Sequence, residues 1–297
     1  MKKKLITISG PTASGKTSLS IDLALRLNCS IISSDSRQFY KEMSIGTAVP
    51  SKTELSKVNH YCVQHKSITT NYTVNDFQIE ALDIIKHELK FNDHIIMVGG
   101  SGMYMDAVTY GIDKFPSISF EVSETINSNY KLFGIKYLQD KLNELDPEYF
   151  LNVDINNHRR LIRALEVSLS SKKPYSSFLG KNKIKHNFQI INTAIECDRT
   201  LLYKRINKRV DEMINKGLLN EVKDLIDYKN LRPMNTVGYK ELFLYLDNKV
   251  SLKNAVNEIK KNSRRFAKRQ MTWLRKKDDI KWIEKNISIE NFLSLMN

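Results

Sequence analysis

The sequence predicts an α/β protein with a parallel sheet at its core, a helical insertion and a helical C-terminal region. Short apolar runs alternate with longer stretches whose apolar residues recur at helical spacing, as in chains that form βαβ units. Two of the runs, ending at Ser9 and at Val98, lead directly into glycine turns. Turns at the carboxyl ends of parallel strands form the ligand-binding edge of an open sheet.

The core strands follow from apolar runs that are too short for helices. They are predicted at residues 5–9, 30–33, 61–65, 94–98 and 189–195. Helices are predicted at 16–28 and 76–90, because apolar residues there recur every three or four positions.

Strand signals fade in the middle of the chain, where amphipathic stretches such as 135–145 and 158–169 replace them. We therefore predict a helical insertion at 114–187 that divides the core into residues 1–113 and 188–297. The chain from Arg199 onward is predicted to be helical, beginning with a helix over 200–219.

Residues 10–17 read Gly-Pro-Thr-Ala-Ser-Gly-Lys-Thr, a complete phosphate-binding loop between the first strand and the first helix. Backbone N–H groups and the positive end of the helix hold phosphate oxygens in such a loop, and the last hydroxyl binds Mg²⁺. The core is thus predicted to be P-loop NTPase-like, with Thr17 as the metal ligand. The residues predicted to bind a polyphosphate or pyrophosphate ester, the diphosphate-binding residues of the loop, are Gly10, Thr12, Ala13, Ser14, Gly15, Lys16 and Thr17.

Two further strand ends are expected to lie beside this loop. Asp35 follows the second strand and is predicted to accept a hydrogen bond or a proton, with capping of the next turn as the alternative. The strand 94–98 ends in Gly99-Gly100 instead of the aspartate with which phosphate-loop ATPases and GTPases bind Mg²⁺. Nucleotide hydrolysis is therefore disfavoured. Ser101 is predicted to donate to a phosphate or a leaving oxygen, or else to close the turn.

Arg209 falls inside the apolar stripe of the helix predicted at 200–219. A buried guanidinium needs an anionic partner, either a bound diphosphate or a carboxylate of the protein.

The composition favours a polyanionic partner. The 297 residues carry a net charge of +14, and no acidic residue occurs between Lys260 and Lys277. A lysine-rich coding background is the alternative explanation of the overall charge. No apolar stretch approaches the roughly 20 residues of a membrane span. The three cysteines form no C-x-x-C pair, and no secretory leader precedes the first strand, so we expect a cytoplasmic protein.

With these motifs in place, the sequence resembles the bacterial tRNA dimethylallyltransferases. The matching stretches follow one another over nearly the whole chain, at residues 10–17, 35–40, 45–50, 98–104, 163–166, 237–240 and 267–275. The resemblance implies transfer of a dimethylallyl group from dimethylallyl diphosphate to a tRNA. The acceptor would be N6 of the adenosine 3′ to the anticodon, in tRNAs that read codons beginning with U.

The resemblance also implies roles for individual residues. Asp35, Ser101 and Arg209 would be catalytic, with Ser101 standing where most members have threonine. The insertion would bind the anticodon stem-loop, Mg²⁺ would accompany the diphosphate, and a monomer is expected. The residues implied to contact tRNA are Asp35, Ser36, Arg37, Gln38, Ser101, Arg159, Arg160, Arg163, Gly238, Tyr239, Lys240, Arg265, Lys268, Arg269, Gln270, Trp273 and Arg275.

Three other functions share part of this pattern. A small-molecule kinase has the phosphate loop and the acid after the second strand, but needs neither the basic tail nor the insertion. An adenylate isopentenyltransferase acts on a free nucleotide and needs no large nucleic-acid surface. A non-catalytic RNA-binding protein with a vestigial loop would release no diphosphate.

Overall fold

The computed structural model describes residues 3–181 and 184–296 of the chain. Its core is one six-stranded sheet in which every neighbouring pair of strands is parallel. The strands are β1 (Lys4–Ser9), β2 (Ile31–Ser33), β3 (His60–Tyr61), β4 (His94–Gly99), β5 (Gln189–Ile195) and β6 (Lys281–Ile283), in the spatial order β3-β2-β4-β1-β5-β6. The α/β fold class predicted from the sequence is confirmed.

Twelve α-helices accompany the strands in the described residues: α1 (Lys16–Leu27), α2 (Lys52–Leu55), α3 (Val74–Phe91), α4 (Gly102–Thr109), α5 (Phe120–Leu145), α6 (Pro147–Asn152), α7 (His158–Ser171), α8 (Arg199–Asn215), α9 (Leu218–Asp224), α10 (Tyr239–Leu246), α11 (Leu252–Leu274) and α12 (Ile289–Ser294). Short 3₁₀ helices occupy Tyr175–Phe178, Ile226–Tyr228 and Arg232–Met234. No helix among the described residues is both long and apolar enough to cross a membrane.

The chain divides into two compact units, Met1–Thr109 with His186–Asn297 and Tyr110–Lys185. The first unit contains the sheet, whose central strands are buried on both faces. The continuous apolar run Ile95–Met97 in β4 illustrates this, since none of its side chains reaches solvent. The insertion predicted from the sequence, 114–187, begins and ends a few residues later than the second unit.

The second unit is a small helical assembly. Ile126 and Leu138 of α5 pack against Leu161 and Leu165 of α7, and all four are fully buried. α5 is bent at Gly134, whose φ of 70° and ψ of −164° interrupt the helix. Glycine is suited to this position because its backbone adopts positive φ without a steric penalty.

Two predictions about the C-terminal part were wrong. It is not wholly helical, because β6 adds an edge strand there. Of its three residues only Ile283 is buried, so the segment lacks the apolar run that marks an interior strand. The helix predicted over 200–219 is also two helices, because Gly217 with φ 97° separates α8 from α9.

Candidate active site

Three loops meet at the carboxyl edge of the sheet, as the order of strands β2-β4-β1 requires. They are residues 10–17 after β1, 35–38 after β2 and 99–102 after β4, and together we call them the sheet-edge site. Direct contacts join the last two loops. The Ser36 N–H donates to the Ser101 Oγ at 3.1 Å, and the two hydroxyls lie 3.1 Å apart.

The phosphate loop has the open conformation that its glycines allow. Gly15 adopts φ 100° immediately before α1, and Ala13 adopts φ 64°. The Lys16 ammonium reaches back to donate to the Pro11 carbonyl at 2.7 Å. Burial lowers the pKa of Lys16 to about 8, while the negative charge of Asp35 opposes that effect. An additional anion bound in the loop would therefore favour the protonated lysine.

Arg209 contributes a second cation from α8. Burial lowers the pKa of its guanidinium, and the Asp35 carboxylate again acts in the opposite direction. Arg209 also lowers the pKa of Lys16, so the two cations lie close enough to repel each other. The predicted catalytic residues Asp35 and Arg209 are thus in the same electrostatic environment as the phosphate loop. Two mutually repelling cations at one point favour an anionic ligand there.

Asp35 has the capping role, and one of its carboxylate oxygens remains open to a second partner. Its Oδ1 accepts the Arg37 N–H at 3.2 Å, which is the capping arrangement of a tight turn. None of the described residues donates a hydrogen bond to the Asp35 Oδ2. One carboxylate oxygen therefore fixes the turn, and the other is available to a substrate.

Four residues predicted to contact tRNA are instead buried in the first unit or hydrogen-bonded to other residues of it. The Gln38 amide donates to the carbonyls of Thr47 and Ala48, at 3.3 and 3.0 Å. Tyr239 is fully buried and Gly238 beside it is buried as well. Gln270 accepts the Thr12 N–H at 3.0 Å and donates to the Gly100 carbonyl at 2.8 Å.

Gln270 and Trp273 lie on the buried side of α11, where they close the glycine turn. The Trp273 ring fills the space beside Gly102, where a larger residue would collide with it. Met105, Gln270, Trp273 and Leu274 line a narrow cleft together with residues 9–10 and 99–102. The phosphate loop therefore borders a partly apolar cleft.

The opposite side of α11 carries exposed charges. Arg265, Lys268, Arg269 and Arg275 all face solvent, and we call these four residues the basic face. The apolar residues between them, such as Ala267, are buried. Two other cations of this segment form ion pairs within the fold. Lys260 bonds to Asp211 at 2.6 Å and Lys277 to Asp106 at 2.5 Å.

The remaining sequence-predicted residues are at least partly accessible. Ser36, Arg37 and Ser101 are half-buried, and Lys240 is exposed. In the second unit Arg159, Arg160 and Arg163 are exposed on α7, and the Arg163 guanidinium lies 5.3 Å from the centre of the Phe115 ring. Nothing in the described residues assigns a ligand to these arginines.

Sequence reasoning missed Lys285. It follows β6, and its Cε lies 3.4 Å from the position that a Cβ on Gly15 would occupy. Burial raises the pKa of Cys197, and the positive charges of Lys16, Arg205 and Lys285 oppose that effect. No motif marks this lysine, because its position depends on an edge strand that the apolar pattern does not reveal.

The fold and the site have counterparts among known proteins. A family model described as IPP transferase matches residues 38–277. The tRNA dimethylallyltransferase of Flavobacterium johnsoniae is 49% identical over 288 residues, covering 95% of this chain and 93% of the relative. That of Christiangramia forsetii is 51% identical over 286 residues, covering 96% and 94%.

Solved structures give the same result. The tRNA isopentenylpyrophosphate transferase of Bacillus halodurans matches with a TM-score of 0.71 and 34% identity, over 99% of this chain and 94% of the other. A eukaryotic dimethylallyltransferase described as acting on tRNA matches with a TM-score of 0.80 and 25% identity, over 95% and 74%.

Proposed function

This chain belongs to the IPP transferase family, and from that membership we propose its reaction in detail. It is an enzyme that transfers a dimethylallyl group to tRNA, the activity named for its relatives. We propose dimethylallyl diphosphate as the donor and N6 of the adenosine 3′ to the anticodon as the acceptor, in tRNAs that read codons beginning with U. One observation carries the proposal: the phosphate loop, Asp35 and Arg209 meet at one edge of the sheet.

The diphosphate is the leaving group. The adenine N6 attacks the first carbon of the allyl chain, the bond from that carbon to the diphosphate oxygen breaks, and N6 loses a proton. Negative charge grows on the diphosphate as this bond breaks. The loop amides, Lys16 and Arg209 stabilise that charge, and the bound anion in turn favours the protonated form of Lys16, whose pKa burial lowers to about 8.

Asp35 is proposed to orient the adenine amine and accept its proton through the free Oδ2. A base stacked in an RNA helix cannot reach the reacting carbon, so the adenosine leaves its stack to enter the site. Ser101, hydrogen-bonded to Ser36, holds the turn opposite Asp35 and offers its hydroxyl to a phosphate or a leaving oxygen.

The residues at the phosphate loop fit a Mg²⁺ ion. This ion prefers oxygen ligands and usually keeps several waters, so one protein hydroxyl and substrate phosphates suffice. Thr17 is the second residue of α1, and its side chain has no hydrogen-bond partner among the described residues. Thr17 would hold the ion, which would supply charge neutralisation of the diphosphate.

The tRNA surface is proposed to include the basic face, Arg37 and Lys240 in the first unit. In the second unit, Arg159, Arg160 and Arg163 would bind the backbone of the anticodon stem-loop. Exposed arginines and lysines bind phosphates without regard to sequence, which suits contacts along an RNA backbone. We further propose that the enzyme acts as a monomer in the cytoplasm.

The deciding experiment incubates the protein with unmodified tRNA, dimethylallyl diphosphate and Mg²⁺, followed by nucleoside analysis. We expect N6-isopentenyladenosine at one position and release of one diphosphate per modified base. Replacing tRNA by AMP tests the free-nucleotide activity, and ATP with labelled γ-phosphate tests a kinase. The absence of modified adenosine, or transfer of the labelled phosphate, would contradict the proposal.

A further inference from the structure

The Glu221 carboxylate on α9 holds a loop that no proposed catalytic residue belongs to. Its Oε2 accepts the N–H groups of Ser44 and Ile45, at 3.0 and 2.7 Å, and its Oε1 accepts the Gly46 N–H at 3.0 Å. The Tyr239 hydroxyl on α10 also donates to Oε1, at 2.5 Å. Four donors therefore converge on one carboxylate, and hydrogen bonds to a charged acceptor are the stronger kind.

Packing makes this arrangement specific. The Tyr239 ring occupies the space in which a side chain at Gly46 would lie, so the loop fits closely against α10. Tyr239 is fully buried, and burial together with the Glu221 charge raises the pKa of its hydroxyl. The hydroxyl therefore stays protonated and remains a donor to Glu221.

The held loop, residues 44–48, which we call the clamp loop, is in turn connected to the sheet-edge site. The Gln38 amide nitrogen donates one hydrogen bond to the Thr47 carbonyl and one to the Ala48 carbonyl. The Gln38 Oε1 accepts the Ser33 hydroxyl at 3.1 Å, and the Ser33 oxygen accepts the Asp35 N–H at 3.3 Å. Hydrogen bonds at both ends of the clamp loop, joined by its backbone, thus connect Glu221 to the backbone of Asp35.

We propose that Glu221 and Tyr239 are positioning residues that set the placement of Asp35 by fixing the clamp loop and Gln38. The inference rests on the proposed function, in which Asp35 accepts the proton of the adenine amine. Neither residue touches the substrate in this scheme. Their loss should slow the chemical step and leave both binding steps intact.

The test measures single-turnover transfer to tRNA by the full-length protein carrying Glu221→Gln. The amide keeps the size of the side chain, but its NH₂ group faces donors, so the clamp loop must shift. A misplacement of about 1 Å can lower a rate by about 100-fold, and we expect a loss of roughly 10- to 100-fold. Affinities for inorganic pyrophosphate and for tRNA should stay within about twofold of the unmodified protein.

Tyr239→Phe provides a milder variant that keeps the ring against Gly46 and removes only one of the four donors. We expect its rate to fall by about 3- to 10-fold, consistent with the loss of one hydrogen bond to a charged group. This variant retains the packing volume, so it remains informative even where Glu221→Gln lowers the yield of folded protein.

Glu88→Gln is the matched control. Glu88 is also a buried carboxylate that accepts a tyrosine hydroxyl, from Tyr61 at 2.8 Å, but it makes no hydrogen bond to the clamp loop. Its transfer rate should equal that of the unmodified protein. Thermal unfolding of all three variants separates slower transfer from loss of folded protein.

Three results would overturn the inference: full-rate transfer by Glu221→Gln and Tyr239→Phe, a rate loss that only follows weaker substrate binding, or an equal loss in Glu88→Gln. Failure of the unmodified protein to modify tRNA at all would instead contradict the proposed function, and the inference with it.

Discussion

On the inner side of α11, the polar side chain of Gln270 is fixed by partners that lie far away in the sequence, whereas on the basic face of the same helix the charged side chains are exposed to solvent. Gln270 contacts two loops more than 150 residues away in the sequence. Its side chain accepts the Thr12 N–H and donates to the Gly100 carbonyl. Arg265 and Lys268, on the same helix, are exposed. One helix thus supplies both a rigid support and an open charged surface.

The difference teaches where each kind of functional effect should appear. A side chain that is held in place determines the geometry of the reacting groups, so its loss changes a rate. An exposed charge contributes attraction that salt screens, so its loss changes an affinity. The following predictions test this separation. It would fail if loss of a held side chain changed mainly an affinity, or loss of an exposed charge changed mainly a rate.

The largest effect is expected for Asp35→Ala. Removing the group proposed to accept the proton should lower turnover by about 10²- to 10⁴-fold, the range typical of a lost general base. The affinity for tRNA, measured by filter binding, should change by no more than a few-fold. A large loss of affinity with normal turnover of bound tRNA would contradict the role of Asp35.

A smaller effect is expected from pH at the phosphate loop. Lys16 has a pKa lowered to about 8, so it is protonated below that value and loses its charge as the pH rises through it. Affinity for pyrophosphate should therefore be highest below pH 8 and fall above it, by up to about tenfold per pH unit. Calorimetric titration at several pH values measures this.

The ionisation of pyrophosphate itself also varies with pH, so the comparison requires Lys16→Met. This variant lacks the titrating group, and its weaker binding should not show the additional decline above pH 8. An identical pH dependence in both proteins would exclude Lys16 as its source.

Arg265→Glu tests the basic face. We expect tRNA affinity to fall about tenfold at moderate salt, and the slope of log affinity against log salt to decrease by about 1. The turnover of bound tRNA should stay unchanged. Lys86→Glu, on an exposed position of α3, is the matched charge reversal and should leave affinity near its original value. Equal affinity of Arg265→Glu and the unmodified protein at low salt would remove Arg265 from the surface.

The smallest effect is expected for Lys285→Ala. Its stem lies against Gly15 but its side chain is exposed, so its attraction for a bound diphosphate is screened by water. We expect pyrophosphate affinity to fall about two- to fivefold and tRNA affinity to remain unchanged. An unaltered pyrophosphate affinity would show that Lys285 adds no attraction for a diphosphate bound in the phosphate loop.

The predictable parts of the fold are those with dense local signals. Strand β4 carries an unbroken apolar run at 95–98 because its faces are covered, and the predicted range 189–195 for β5 is the observed one. β6 was not predicted because an edge strand with one buried residue has no such pattern. The division between α8 and α9 at Gly217 was not predicted because a single glycine is tolerated inside many helices.

The site was predictable to a similar limit. The phosphate loop and Asp35 are visible in sequence because they follow strands directly. The stripe position of Arg209 indicated an anionic partner, and the structure places it near Asp35 and Lys16. Glu221 was invisible, since its partners are backbone N–H groups, which every residue carries. Tyr239 and Gln270 were assigned to a tRNA surface because a motif gives position along the chain but not burial.

The bridge made by Gln270 constrains how this gene can change. Each residue of an α-helix advances the rotation by about 100°, so deleting one residue of α11 before Gln270 would turn its amide away from Thr12 and Gly100. The same deletion would move Trp273 off Gly102. Single substitutions on the outside of α11 leave this bridge intact, whereas a single insertion or deletion between Ser251 and Gln270 would break it.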